Sequence, residues 1–384
     1  MTYKQSNECP VCRQAMGALI DLPRYPLTEM YEPYDAGAFE DRGYVDQSFL
    51  YCEGCGHGKL GTIVPPSMLY GEGYRTKTGA SQGAVRAVRN FAGFIAQNCD
   101  LSIIQTFIDI GGNDGCLLGN IDCMRTPPYA TINGVQIDPN ASGPFTNIRA
   151  FIESADLGPW HSDAKLIVSS HTLEHVENVS AFLEKVADGF NYDCTLAIQV
   201  PSLELLVADA RMEQIHHQHI HYFSMRSLSG LLWMHGFEIY AHRFDSDHYG
   251  ALMVLARKGR GERLGERIES ARISEAKNQF VLSTMTCNNM LKGRSFVALG
   301  AALMLPVFAH YLPELRQCEY VADNDRSKDG LRYINFNRPI RCDYDLAGRD
   351  VVITALNTKL AGRALMQLAF EKGARNVYLP LHNV

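Results

Sequence analysis

Two cysteine pairs constrain the start of this chain more than any other feature: Cys9-Pro10-Val11-Cys12 and Cys52-Glu53-Gly54-Cys55. A two-residue spacing lets both sulfurs of a pair point at one ion, and two such pairs make a four-thiolate set suited to tetrahedral zinc. Cys9, Cys12, Cys52 and Cys55 are therefore expected to hold a structural zinc ion. The module they staple, residues 1–65, is too small to bury a core of its own and shows no strong periodicity. The other cysteines follow no spacing framework. With no leader peptide they are expected to be reduced, and the chain to be cytoplasmic.

At 384 residues the chain exceeds one ordinary domain. Its formal charge of −6 and the lack of a long lysine or arginine run argue against nucleic acid as the main partner. No apolar run reaches the length of a membrane span, so no membrane role is expected. Apolar residues at helical spacing predict a helix over 82–96. Apolar runs at 106–110, 131–137, 165–169, 194–200, 236–243 and 249–256 alternate with helical sequence and predict strands. The implied fold class is α/β, with a Rossmann-like, mostly parallel sheet covered on both faces within residues 66–256. A charged linker and helix, 257–290, leads to a smaller Rossmann-like domain, 291–384. Its first turn, Gly300-Ala301-Ala302, lacks the spacing of a dinucleotide loop.

The first central strand runs into Asp109-Ile110-Gly111-Gly112-Asn113-Asp114-Gly115. Ligands of such sheets bind beyond the carboxyl ends of the strands, where glycine lets backbone approach closely. A pyrophosphate would be repelled by Asp109 and Asp114, whereas a sulfonium cation with an amino-acid tail would not. Asp138, at the end of the next strand, is placed to accept hydrogen bonds from ribose hydroxyls. S-adenosylmethionine is the cofactor this pattern favours, with Asp109, Gly111, Asn113, Asp114, Gly115 and Asp138 around it. Ser170 and His171, past a later strand, face the same crevice.

Histidines gather in two places. His171 and His175 stand four apart and would share one face of a helix. His216, His217, His219 and His221 fall within six residues, and His217, His219 and His221 would align on one face of a strand. A metal site and a structural cluster both remain open. Acid–base chemistry is preferred, because neutral imidazoles accept and return protons near pH 7.

Together these segments resemble the sugar C-methyltransferases that act on nucleotide-linked 4-keto-6-deoxy sugars, along nearly the whole chain. The likeness rests on the cysteine pairs, the loop from Asp109 to Leu118, and Met212-Glu-Gln-Ile-His-His-Gln-His-Ile-His-Tyr-Phe-Ser224, which matches a family hallmark. The ending Lys372-Gly-Ala-Arg-Asn-Val-Tyr-Leu-Pro380 also fits. The resemblance implies zinc, S-adenosylmethionine, and a nucleotide-linked sugar as acceptor. It implies a C-terminal domain that contributes to the acceptor site, in a monomer or weak homo-oligomer. It also implies removal of a proton beside a ketone, with His219 as base and His175 as helper. Where the family carries tyrosine and glutamate, this chain has His216 and Gln218, which join the catalytic set. Gln199, Thr76 and His248-Tyr249-Gly250-Ala251 depart from the pattern too, so the acceptor side is rebuilt. Tyr74, Lys77, Thr78, Tyr222, His248 and Tyr249 are the residues expected to meet the acceptor. Methyl transfer to oxygen, nitrogen or a non-sugar carbon, and a non-catalytic binding subunit, stay as alternatives.

Overall fold

The computed structural model describes residues 3–69, 77–80, 82–125, 132–160, 164–189, 194–246, 250–356 and 359–381. Its largest element is a seven-stranded sheet, with strands β1 (Thr106–Ile110), β2 (Asn133–Ile137), β3 (Thr146–Ile148), β4 (Ala164–Ser170), β5 (Thr195–Pro201), β6 (Phe237–Asp245) and β7 (Ala251–Lys258). Their spatial order is β3-β2-β1-β4-β5-β7-β6. β7 runs antiparallel to both neighbours, and the pairings from β3 through β5 are parallel. This is a mixed sheet, parallel in its centre with an antiparallel edge. The expected strands fall within a residue or two of their observed positions. The short edge strand β3, with three partly exposed residues, has too little apolar sequence to announce itself.

Alternation along each strand explains how both faces are covered. Phe107, Leu166, Val168, Ala197, Met253 and Leu255 pack against helices α1 (Gln82–Asn98) and α2 (Cys116–Cys123) through Phe91, Ile95, Leu118 and Ile121. Their neighbours Ile108, Ile110, Ile167, Leu196, Ile198 and Val254 turn the other way. They meet Phe182, Leu183, Leu228 and Leu231 of helices α3 (Val179–Gly189) and α4 (Met225–Met234). A serine pair caps α4: Ser224 and Ser227 bond each other's backbone N–H, a reciprocal capping box.

The N-terminal segment is more regular than its sequence suggests. Gly17–Pro26, Tyr44–Tyr51 and Gly58–Leu60 form an antiparallel sheet, and His221–Tyr222 supplies its fourth strand. Register shifts between Ala18 and Ile20 and between Leu22 and Tyr25 break the two-residue alternation, and Arg24 sits at φ +50°. Such bulges erase the period by which a strand is read. The core of this sheet is shared: Tyr25, Phe49 and Leu60 belong to one buried cluster with Leu203, Tyr222 and the apolar residues of 268–381.

That last region contains a parallel sheet in the order Ile340–Arg341, Val321–Ala322, Phe296–Leu299, Asp350–Ile353, Asn376–Tyr378. A helix, Ser270–Leu291, precedes it. Tyr31–Pro33 pairs antiparallel with Leu331–Tyr333, which ties the N-terminal segment to it. Among the described residues no helix is long and apolar enough to cross a membrane.

Candidate active site

Each cysteine pair forms the same turn. Arg13 N–H donates to Cys9 C=O and Gly56 N–H donates to Cys52 C=O, and both donors have positive φ, +64° and +76°. The two turns face each other, with Cys9 Sγ 3.5 Å from Cys55 Sγ and Cys12 Sγ 3.3 Å from Cys52 Sγ. All four sulfurs lie within 4.8 Å of one another. Sulfurs around a tetrahedral zinc ion are about 3.8 Å apart, so the donor set fits that ion. The thiols cannot all ionise unaided. The Cys55 thiol's hydrogen bond holds Cys9 down at about 5, while burial pushes Cys12 up to about 11.

The crevice opens where β1 ends. Gly111 takes φ +84°, and a Cβ there would lie 1.9 Å from Thr172 Oγ1, so only glycine lets this turn close against the chain after β4. Asn113 N–H donates to Asp138 Oδ2 at 3.3 Å, and Asn140 N–H donates to Asp138 Oδ1 at 2.6 Å. Asp138 thus braces the loop from the end of β2. Asp114 does a related job: its carboxylate accepts from Gly79 N–H at 2.7 Å and from Cys116 N–H at the start of α2. That bond seats the turn Thr78–Ala80 beside the loop, with Thr78 half-buried and Lys77 exposed. Asp109 is buried, and burial first, then the charges of Asp138 and Asp114, push its carboxyl up to about 8. Its Oδ2 has no hydrogen-bond partner among the described residues.

Beside this crevice, at the end of β4, the chain makes an abrupt turn. Ser170 Oγ donates to Gln199 Oε1 at 2.8 Å, and His171 takes φ +50° with its N–H on Gln199 C=O. Non-glycine residues in this conformation cluster at functional sites. His171 and His175 do not share a regular helix face, because Leu173–His175 is one tight 3-10 turn that begins after His171. They meet across Glu174 instead. His171 Nδ1 donates to Glu174 Oε1 at 3.2 Å, and His175 Nε2 lies 3.9 Å from the same oxygen.

The histidine segment is not one strand either, since residues 217–218 turn. The expected alignment of His217, His219 and His221 therefore fails, and the three rings go to three places. His217 donates to Tyr25 C=O and faces the Gln47 amide, a structural role. His221 joins the N-terminal sheet, its ring 3.1 Å from the His57 ring. His219 alone reaches the pocket, with ring centroids 4.9 Å from His175 and 4.1 Å from His216. Two bonds clasp the segment to the β4 turn: His175 Nδ1 donates to Gln218 C=O at 2.7 Å, and Ile220 N–H donates to Glu174 C=O at 2.8 Å. Burial holds the rings of His216 and His219 well below the usual imidazole range, so both are neutral near pH 7.

Of the predicted catalytic set, His175, His216, His219 and Gln218 come together. Tyr222 lies beneath them in the core, accepting from His216 N–H and packed on Phe49. It shapes the segment from below. Tyr74, His248 and Tyr249 lie outside the described residues. Two acidic partners had not been singled out. Glu174 is fully buried and was legible only as the acid inside His-x-x-Glu-His. Glu29, at φ +56°, accepts from the Gln218 amide at 3.3 Å, and no local signal announces it.

Residues 82–242 match the model of a methyltransferase domain. The chain is similar to the C-methyltransferase NovU of Streptomyces niveus, 21% identical over 212 residues, 54% of this chain. The match spans 50% of that relative's length. Among solved structures it is similar to an S-adenosylmethionine-dependent methyltransferase from Clostridium acetobutylicum, with 9% identity, 46% of this chain, 94% of that one and a TM-score of 0.35. The mitomycin 7-O-methyltransferase MmcR is similar at 16% identity, 45% of this chain, 54% of that one and a TM-score of 0.34. Residues 82–242 therefore carry a methyltransferase domain.

Proposed function

We propose that the chain methylates the carbon beside a ketone in a nucleotide-linked keto-deoxy sugar, using S-adenosylmethionine. The observation that supports this most is the neutral, buried pair His219 and His216, set with His175 beside the cofactor crevice. A proton beside a carbonyl is weakly acidic. Its removal needs a base with a lone pair at neutral pH and a group aimed at the oxygen where charge develops. One ring of this tilted pair takes the proton, either His219, which also faces His175, or His216. The enolate carbon so generated would be the nucleophile that accepts the methyl group. When bound, S-adenosylmethionine supplies that electrophilic methyl.

The chain's own groups do the rest of the work. Asp138 holds the cofactor loop and offers its carboxylate to ribose hydroxyls. Asp109, Gly111, Asn113, Asp114 and Gly115 form the cradle, with Ser170 and His171 at its edge. Lys77 and Thr78 stand at the mouth, where the acceptor enters. Gln218 positions rather than titrates, since an amide cannot accept the proton. The four cysteines hold zinc as a structural ion. The experiment is to offer a panel of nucleotide-linked keto sugars with methyl-labelled cofactor and to locate the methyl by magnetic resonance. The reading expects a new carbon–carbon bond. Label found on oxygen or nitrogen would overturn it.

A further inference from the structure

Glu174 presents an unusual electrostatic problem. It is fully buried, and its ion-pair partners among the described residues are the imidazoles of His171 and His175, not lysine or arginine. A buried carboxylate without a compensating cation is costly. Hydrogen-bond logic sharpens the problem. The Gln218 carbonyl can only accept, so His175 carries a proton on Nδ1, and in the neutral ring the lone pair sits on Nε2. That lone pair faces Glu174 Oε1 across 3.9 Å, with two electron-rich atoms turned toward each other. Glu174 Oε2 and His219 Nδ1 have no hydrogen-bond partner among the described residues. One ligand atom from each of Glu174, His175 and His219 lies within 4.8 Å of the others.

We infer that Glu174, His175 and His219 hold a divalent first-row transition-metal ion. Two imidazoles and one carboxylate suit zinc and its borderline neighbours. The partner groups have the arrangement found around bound metals. His175 is oriented through its far nitrogen by a backbone carbonyl, and the carboxylate is oriented by the His171 N–H. Three protein ligands leave coordination positions for an oxygen ligand, as in catalytic metal sites. This site deepens the reading proposed above and takes its chemical role from it. The ion would hold the ketone oxygen as negative charge develops there. With the His219 lone pair committed to the ion, proton acceptance falls to His216, neither of whose buried ring nitrogens has a hydrogen-bond partner among the described residues.

The test needs no acceptor, so its outcome is independent of the methylation reading. Intact protein is loaded with zinc alone, dialysed, and measured for bound metal. With the four-cysteine site filled as well, the wild type should hold about two equivalents per chain, and Glu174→Gln and His219→Ala about one each. Cobalt loading guards against misfolding, because the thiolate-to-cobalt absorption of the cysteine site must persist in both variants. About one equivalent in the wild type, unchanged by either substitution, would overturn the site. So would about two equivalents in the wild type and in both variants, since the second ion would then sit elsewhere.

Discussion

The cofactor crevice and the histidine pocket adjoin at the carboxyl ends of β1 and β4, yet they are built by opposite means. The crevice is made of backbone. Its turns close because Gly111 and Gly115 accept positive φ, and its two half-buried acids, Asp114 and Asp138, are spent on neighbouring N–H groups. The pocket is made of side chains. Its rings and carboxylate come from segments more than forty residues apart, held by the bonds from His175 to Gln218 and from Ile220 to Glu174. A backbone site tolerates change in what surrounds it, whereas a side-chain site can be retuned one residue at a time. On this contrast, substitutions in the pocket should act on the chemical step and substitutions in the crevice on binding.

The largest separation is expected from His219→Ala. Turnover should fall by about 100- to 10,000-fold, the scale of losing a general base or a group of equal weight, while cofactor affinity by calorimetry stays within about twofold of wild type. Weakened cofactor binding of similar size would erase the distinction between the two regions. Asp138→Ala should do the converse. S-adenosylmethionine affinity should weaken by about 1.5–3 kcal/mol, with turnover at saturating cofactor little changed. Unchanged affinity would remove Asp138 from the ribose site.

A third effect concerns stability in the cofactor-free protein. The folded state raises Asp109 to about 8, whereas an unfolded aspartate titrates near about 4. The folded chain therefore keeps a proton that the unfolded chain releases. Stability is full below the lower value, is lost as pH rises between the two, and is flat above the higher one. Asp109→Asn cannot ionise, so its advantage over wild type in denaturant unfolding should grow through that window and then level off. An advantage that shrinks with rising pH would contradict the buried, protonated Asp109.

The same contrast decides what could be read from sequence. The crevice was legible because its parts lie at consecutive strand ends: Asp109 sits near the end of β1, the glycine loop follows it directly, and Asp138 follows β2. The cysteine turns were legible for the same local reason. The pocket was legible only in its ingredients. His175, His216, Gln218 and His219 were picked out, but a turn at 217–218 defeats the alternation that would put His217, His219 and His221 on one face. Glu174 enters because a 3-10 turn points it between two histidines. Glu29 enters from the link between the bulged strand Gly17–Pro26 and Tyr31–Pro33, whose pairing with Leu331–Tyr333 is long-range. Long-range clasps leave no period in the sequence.

The most direct test is proton exchange. A nucleotide-linked keto sugar that the enzyme accepts is incubated in heavy water with wild-type protein and demethylated cofactor, so that methyl transfer cannot occur. Deuterium should enter the position beside the ketone, and His219→Ala should suppress it by about 100-fold or more. No exchange by the wild-type protein, with methyl recovered on oxygen or nitrogen in parallel reactions, would contradict the assignment of the buried histidines to enolate formation.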